Sequence, residues 1–322
     1  MTQGKTCELV AGVARLTRIA GIAAIAAFGG VTFLAETPAA QIRVETQVVL
    51  VEATVKDRAG RVAGDLKKED FVVLDDGVVQ QISHFSRDQM PLAVALVVDL
   101  SGSIEPFLRP LRYATLTALK TLRAEDQVAL FLFTSDVERR VDLTRDKREV
   151  SDQLEELSAQ GGTNINAAVY EAARYLEDEA PAARRVVILV SDNVPIESGG
   201  YRAQEVAEAV LAADAALYGL KVPGRNPVGA KLAGRLRGGD LVNVSKLAAE
   251  TGGEVFDVEK EGSLFLAFQQ LITRLKTRYT LGYYPARAGD GKFHKLEVTV
   301  SGHSVLAKRG YYSRATAAAA GR

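Results

Sequence analysis

The chain reads as an α/β protein: a doubly wound, mostly parallel sheet flanked by a small β-sandwich built from its N- and C-terminal strands. Three observations predict it. Between about 91 and 284, apolar strands alternate with amphipathic helices, and strands such as "VVILV" are apolar on both faces, as parallel strands covered by helices must be. From Gln41 to about Phe85 the pattern is β throughout, and it returns to β in "KFHKLEVTVSGHSVLAKRGYYS". A strand-only segment cannot bury a face alone, so the two flanks are each other's simplest partners.

Residues 1–40 read as a signal peptide or N-terminal membrane anchor. Lys5, Arg15 and Arg18 precede the uncharged run "IAGIAAIAAFGGVTFLA" (19–35), and Thr37 and Ala39 offer small residues for cleavage. The run is short for a bilayer span, yet long enough to anchor the chain in the inner membrane if uncleaved. The expected location is therefore exported, periplasmic or extracellular. In the segment 41–88, Asp76-Gly77 between "FVVL" and "VVQQISHF" signals a hairpin. The α/β region 91–284 carries helices near 105–122, 146–158, after "GGTN", and near 202–213, 241–250 and 261–278. Strands lie between them at "LAVALVVD", "QVALFLFT", "RRVDL", "RRVVILVSD", "AALYGLK" and "GEVFDV". Residues 285–313 form the second β segment, packing with 41–88, and 314–322 is a low-complexity tail expected to be disordered.

Composition narrows the chemistry. Lys+Arg and Asp+Glu are both 40, which gives no field favouring nucleic acid. A single cysteine, Cys7, excludes a disulfide framework and a cysteine-ligated metal within the chain. The three histidines, His84, His294 and His303, lie in the β flanks, far in sequence from the α/β strand ends, and read as exposed strand residues.

In open α/β sheets ligands bind beyond the carboxyl ends of the strands. Three segments present oxygens there: "VVDLSGS" with Asp99, Ser101 and Ser103; "QGGTN" with Thr163; and "VVILVSDN" with Ser191 and Asp192. The set Asp99, Ser101, Ser103, Thr163 and Asp192 holds only hard oxygens, the chemistry of Mg²⁺, with Mn²⁺ or Ca²⁺ as alternatives. Hydroxyls are weak neutral ligands, so a cation held this way is under-neutralised and accepts an outside carboxylate in place of a water. Blander readings exist for each residue alone: Ser103 and Thr163 as helix caps, Asp192 as the start of a turn.

Asp-x-Ser-x-Ser after the first strand, a Thr in a Gly-rich loop and an Asp ending a later strand resemble the metal-ion-dependent adhesion site of von Willebrand factor A domains. The likeness extends through "ALKTLRAEDQVALFLF" and "LAAETGGEVFDV" and covers roughly 91–284. The flanks resemble a subfamily of exported bacterial proteins described from acidobacteria. The resemblance implies a Rossmann-like domain in which Ser101, Ser103 and Thr163 bind metal directly. Asp99 and Asp192 would act largely through water, and a protein partner would present an Asp or Glu carboxylate. The chain departs from the family at Asn193, where glycine is common.

A metal-dependent hydrolase or phosphatase, or a structural envelope protein with a vestigial site, are the alternatives. "VDLSGSI" lacks the glycine of a nucleophile elbow and "GGTN" lacks a phosphate-loop ending, so no catalytic residues are assigned. The Gly/Pro-rich stretch 221–240 carries Lys221, Arg225, Lys231, Arg235 and Arg237. It is expected beside the metal edge, where with Asn193 it would steer an acidic partner surface.

Overall fold

A computed structural model describes residues 48–313, apart from 88–89, 156, 160, 196–199, 225–239 and 288 and the side chains of 261–262. The export segment, the tail, and Arg225, Lys231, Arg235 and Arg237 lie outside the described residues. Among the described residues no helix is long and apolar enough to cross a membrane.

The central element is a six-stranded sheet of order β10-β9-β8-β5-β6-β7. Its strands are β5 (Leu92–Asp99), β6 (Gln127–Phe133), β7 (Val137–Thr144), β8 (Arg184–Ser191), β9 (Ala215–Lys221) and β10 (Val255–Asp257). All pairings are parallel except β6 with β7. Every residue of β5 and β8 is buried, which is why their sequences show no polar face. Alternate β5 residues serve two cores. Leu92, Val94, Leu96 and Val98 pack under α1 (Leu108–Leu119) and α6 (Glu261–Lys276). Ala93, Ala95 and Val97 pack under α3 (Ile165–Glu179), α4 (Ala203–Ala212) and α5 (Val244–Glu250). Small residues on both sides of that second contact, Ala93 and Ala95 against Ala168, Ala172 and Ala173, bring α3 close to the sheet.

Some boundaries differ from the sequence reading for local reasons. The first helix begins as a 3₁₀ turn, Glu105–Phe107, in which Pro106 lacks an N–H to donate. The helix expected over 146–158 is α2 (Lys147–Asp152) only. Beyond it Leu154 N–H donates to Ser151 O and Glu155 N–H to Asp152 O, a tighter i→i+3 pattern that ends the helix.

The flanks form two antiparallel sheets. One has the order β13-β1-β11-β4, from β1 (Val49–Lys56), β4 (His84–Ser86), β11 (Tyr279–Tyr283) and β13 (Ser304–Ala307). The other has the order β14-β12-β2-β3, from β2 (Phe71–Asp75), β3 (Val78–Gln80), β12 (Phe293–Val300) and β14 (Gly310–Tyr312). Strands from both ends of the chain enter both sheets, and Val51, Val55, Phe71, Val73, Tyr279, Leu281 and Leu296 share one core. Tyr279–Tyr283 falls inside the 91–284 region of the sequence reading, but it pairs with β1 in the flanking sheet. Its all-buried pattern does not distinguish a sandwich strand from a parallel one. The Asp76-Gly77 hairpin forms as expected, with both residues at positive φ (49° and 81°), the geometry of a type I′ turn.

The sandwich docks at the amino end of the parallel sheet. Arg184, which opens β8, lies 3.4 Å from Glu52 of β1, and Arg278 Nη1 donates to the same carboxylate at 2.7 Å. Lys56 Nζ donates to Glu254 at 2.7 Å, and burial together with the Arg274 charge lowers the Lys56 pKa to about 8. Seven strand steps of about 3.3 Å put Ser191 roughly 23 Å away at the other end of β8. The carboxyl edge of the sheet is therefore left clear of the sandwich.

Candidate metal centre

The strand order reverses beside β5. From β5 the chain builds outward through β6 and β7, then returns to place β8 on the opposite side. The connections that leave β5 and β8 therefore diverge, opening a crevice at their carboxyl ends. Asp99 is the last residue of β5, Ser191 the last of β8, and Asp192 follows it.

Asp99 is fully buried. Its Oδ1 accepts from the Ser101 N–H at 2.8 Å, and its Oδ2 accepts from the Ser191 hydroxyl at 2.7 Å. The first bond turns the chain sharply after Leu100 and brings the Ser101 and Ser103 hydroxyl oxygens to 2.9 Å. Thr163 reaches the same edge through its neighbours. Leu100 N–H donates to Phe133 O at the end of β6, and Asn164 N–H donates to Thr134 O in the turn that follows β6, both within 2.9 Å. Asn164 Nδ2 adds a bond to Ser135 O at 3.0 Å. Gly162, at φ +87°, lets the loop lie against that turn, since a Cβ there would stand 2.3 Å from Ser135 Oγ. Asp192 Oδ1 accepts from Val194 N–H at 3.0 Å, and its Oδ2 faces Gly224, where an added Cβ would stand 3.0 Å away. Burial pushes the Asp99 carboxyl up to about 6. The Ser191 and Ser101 hydrogen bonds oppose that rise, and the nearby Asp192 charge adds to it.

The capping readings meet two contrary observations. The residue preceding the 3₁₀ turn is Ile104, with no side-chain cap, and the Ser103 hydroxyl contacts Ser101 instead. The cap of α3 is Asn164, whose side chain accepts from Ala167 N–H, so Thr163 is not used there. Asp192 does open a turn, with one of its two oxygens.

Asn193 sits at φ 58°, the left-handed region that glycine enters without strain. Its N–H donates to Ser191 Oγ at 3.1 Å, while its buried side-chain amide has no hydrogen-bond partner among the described residues. Lys221, expected to face a partner, ends β9 beside Asp257 at 3.3 Å. The sequence reading noted Ser191 only as a hydroxyl at the strand end. Its role in holding Asp99 depends on the β5–β8 register, in which Val98 lies opposite Val190. The roles of Ser135 and Asn164 carry no motif; the one local hint is Gly162 ahead of a threonine.

Residues 94–194, within the α/β unit, match the von Willebrand factor type A domain family. Solved structures that match the chain include an aerotolerance-related membrane protein from Bacteroides fragilis, at 19% identity and TM-score 0.43 over 57% of this chain and 99% of that one. A von Willebrand factor type A protein from Catenulispora acidiphila matches at 12% identity and TM-score 0.48, over 83% and 75% of the two chains. The vWF domain of the type V pili tip protein Mfa5 from Porphyromonas gingivalis matches at 11% identity and TM-score 0.46, over 58% and 96%. No curated protein matches the chain.

Proposed function

We propose that the α/β unit is a non-enzymatic, cation-dependent protein-binding module of an exported protein. Asp99, Ser101, Ser103, Thr163 and Asp192 would hold one divalent cation, Mg²⁺ first, with Mn²⁺ or Ca²⁺ as alternatives. When bound, the cation supplies a Lewis-acidic position that takes an Asp or Glu carboxylate of a partner protein. The observation that carries this reading is the pair of serine hydroxyls 2.9 Å apart beside a buried carboxylate. Neighbouring oxygens of an octahedral Mg²⁺ shell at about 2.0–2.1 Å lie about 2.9 Å apart, so the pair is already spaced as one edge. The bonds from Ser191 and the Ser101 amide fix the Asp99 carboxylate, so little ordering entropy opposes binding. The mostly neutral donor set leaves the cation able to attract an external anion. The apolar run at 19–35 supports export.

Isothermal titration of the full chain with Mg²⁺ and Mn²⁺ tests the reading. Metal-linked heat is expected in the wild type, with loss of binding in Asp99→Ala and at least tenfold weakening in Ser101→Ala. A wild type without such heat, or heat unchanged by both substitutions, would overturn the proposal.

A further inference from the structure

Among the described residues a second set of metal-ligating side chains gathers in the sandwich, around a histidine that the sequence reading took for an exposed strand residue. His294 on β12 is buried, whereas His84 is exposed and His303 intermediate. The physical reason is its pairing with Tyr311 of β14. The two rings stack at 5.3 Å and 22°, which fixes the imidazole plane. His294 Nδ1 lies 2.9 Å from Asp76 Oδ2 and 3.8 Å from Asp75 Oδ1, while Nε2 lies 3.0 Å from Asp290 Oδ1.

Asp75 is the informative member. Its Oδ2 accepts two phenol hydroxyls, from Tyr283 at 2.8 Å and Tyr311 at 3.0 Å. Its Oδ1 is buried and has no hydrogen-bond partner, although the residue is only 7% exposed. Leaving a buried carboxylate oxygen unpaired is costly, and native structures rarely do so without an ion or water at hand. Asp75, Asp76 and His294 each offer a ligand atom within 4.8 Å of the others, and Oδ1 is the Asp75 oxygen found 3.8 Å from His294 Nδ1.

We propose that Asp75 Oδ1, Asp76 Oδ2 and His294 Nδ1 form a three-ligand Zn²⁺ site, with its fourth position open to water on the Asp76 side. Asp76 is the exposed member of the group and gives the ion its entry path. One imidazole with two carboxylates suits zinc, where Mg²⁺ and Ca²⁺ take oxygen ligands. A tetrahedral shell at about 2.0–2.2 Å spaces its ligand atoms roughly 3.3–3.6 Å apart, so adjustments on the order of an ångström close the site. The surrounding bonds are those of a supported metal ligand set. With the ion on Nδ1, Nε2–H would donate to Asp290 Oδ1, 3.0 Å away, as in carboxylate–histidine–zinc arrangements. The second oxygen of Asp76 accepts from Lys295 N–H at 2.9 Å, and the second oxygen of Asp75 holds the two tyrosines. The ion would cross-link the β2–β3 hairpin to β12, elements separated by the whole α/β unit in sequence. Its binding energy would stabilise the closed sandwich.

The test uses the full chain carrying Asp99→Ala, stripped with chelator, so that the first site does not contribute. Zn²⁺ titration should give one site per chain and raise Tm, and Co²⁺ should give the visible bands of tetrahedral coordination. Asp76→Asn is expected to lower zinc affinity at least tenfold, while asparagine still suits the positive φ of the turn. Asp290→Asn is expected to lower it about 10- to 100-fold through the histidine alone. Absence of saturable zinc binding, or binding that both substitutions leave unchanged, would overturn the proposal. Neither result touches the Mg²⁺ reading of the α/β unit.

Discussion

The two candidate cation sites of this chain are built in opposite ways. At the carboxyl edge of the parallel sheet, Asp99, Ser101 and Ser103 sit within one turn of chain, and the donors are small hydroxyls and carboxylates. In the sandwich, Asp75 and Asp76 meet Asp290 and His294 across the antiparallel pairing of β2 with β12, and one donor is an imidazole. The first arrangement suits a hard ion that must keep an open coordination position. In the second, Tyr283 and Tyr311 hold Asp75, and the ligands suit an ion that links two segments far apart in the chain. The two sites thus differ in donor chemistry and in how far apart in the chain their ligands lie.

Separate perturbations of the two sites should break or sharpen this contrast. The largest effect is expected from Gly162→Ala. The substitution strains a residue at φ +87° and drives a Cβ into Ser135, at a cost of about 2–4 kcal/mol. Mg²⁺ affinity should fall with stability in urea unfolding, while zinc binding in the sandwich stays unchanged; coupled loss of both ions would join the sites energetically. A matched pair comes next. Ser191→Ala removes a buried donor to Asp99, and Tyr283→Phe removes one to Asp75, each expected to cost about 1–2 kcal/mol. Titration with both ions should show Ser191→Ala weakening only Mg²⁺ binding and Tyr283→Phe weakening only Zn²⁺ binding. The smallest effect is expected from Asn193→Gly. Relief of left-handed strain is offset by greater freedom of the unfolded chain, so thermal unfolding should move by no more than about 0.5 kcal/mol. A large gain in Mg²⁺ affinity there would show that the Asn193 side chain narrows the site.

Legibility in the sequence followed contact distance along the chain. The Asp76-Gly77 hairpin, the apolar β5 and β8, and Asp99-x-Ser101-x-Ser103 are local patterns whose physics acts within a few residues. Ser191 was visible as a hydroxyl at a strand end, but only the β5–β8 register turns it onto Asp99. Strand β11 was not singled out in the sequence, and its fully buried pattern is compatible with either sheet. His294 gave no signal at all. "KFHKLEV" reads as an alternating strand with a polar histidine, and its burial comes from Tyr311 on a neighbouring strand and carboxylates distant in sequence.

The sequence alone determined that this chain winds a parallel sheet between helices and ends its central strand in an acid and two hydroxyls. Hydrophobic periodicity and turn chemistry are local properties. Tertiary structure decided which strand ends share an edge and which flanking strands share a sheet. It also decided that one of three histidines is buried among carboxylates. Those outcomes depend on register and packing between segments far apart in the chain, which the order of residues does not display.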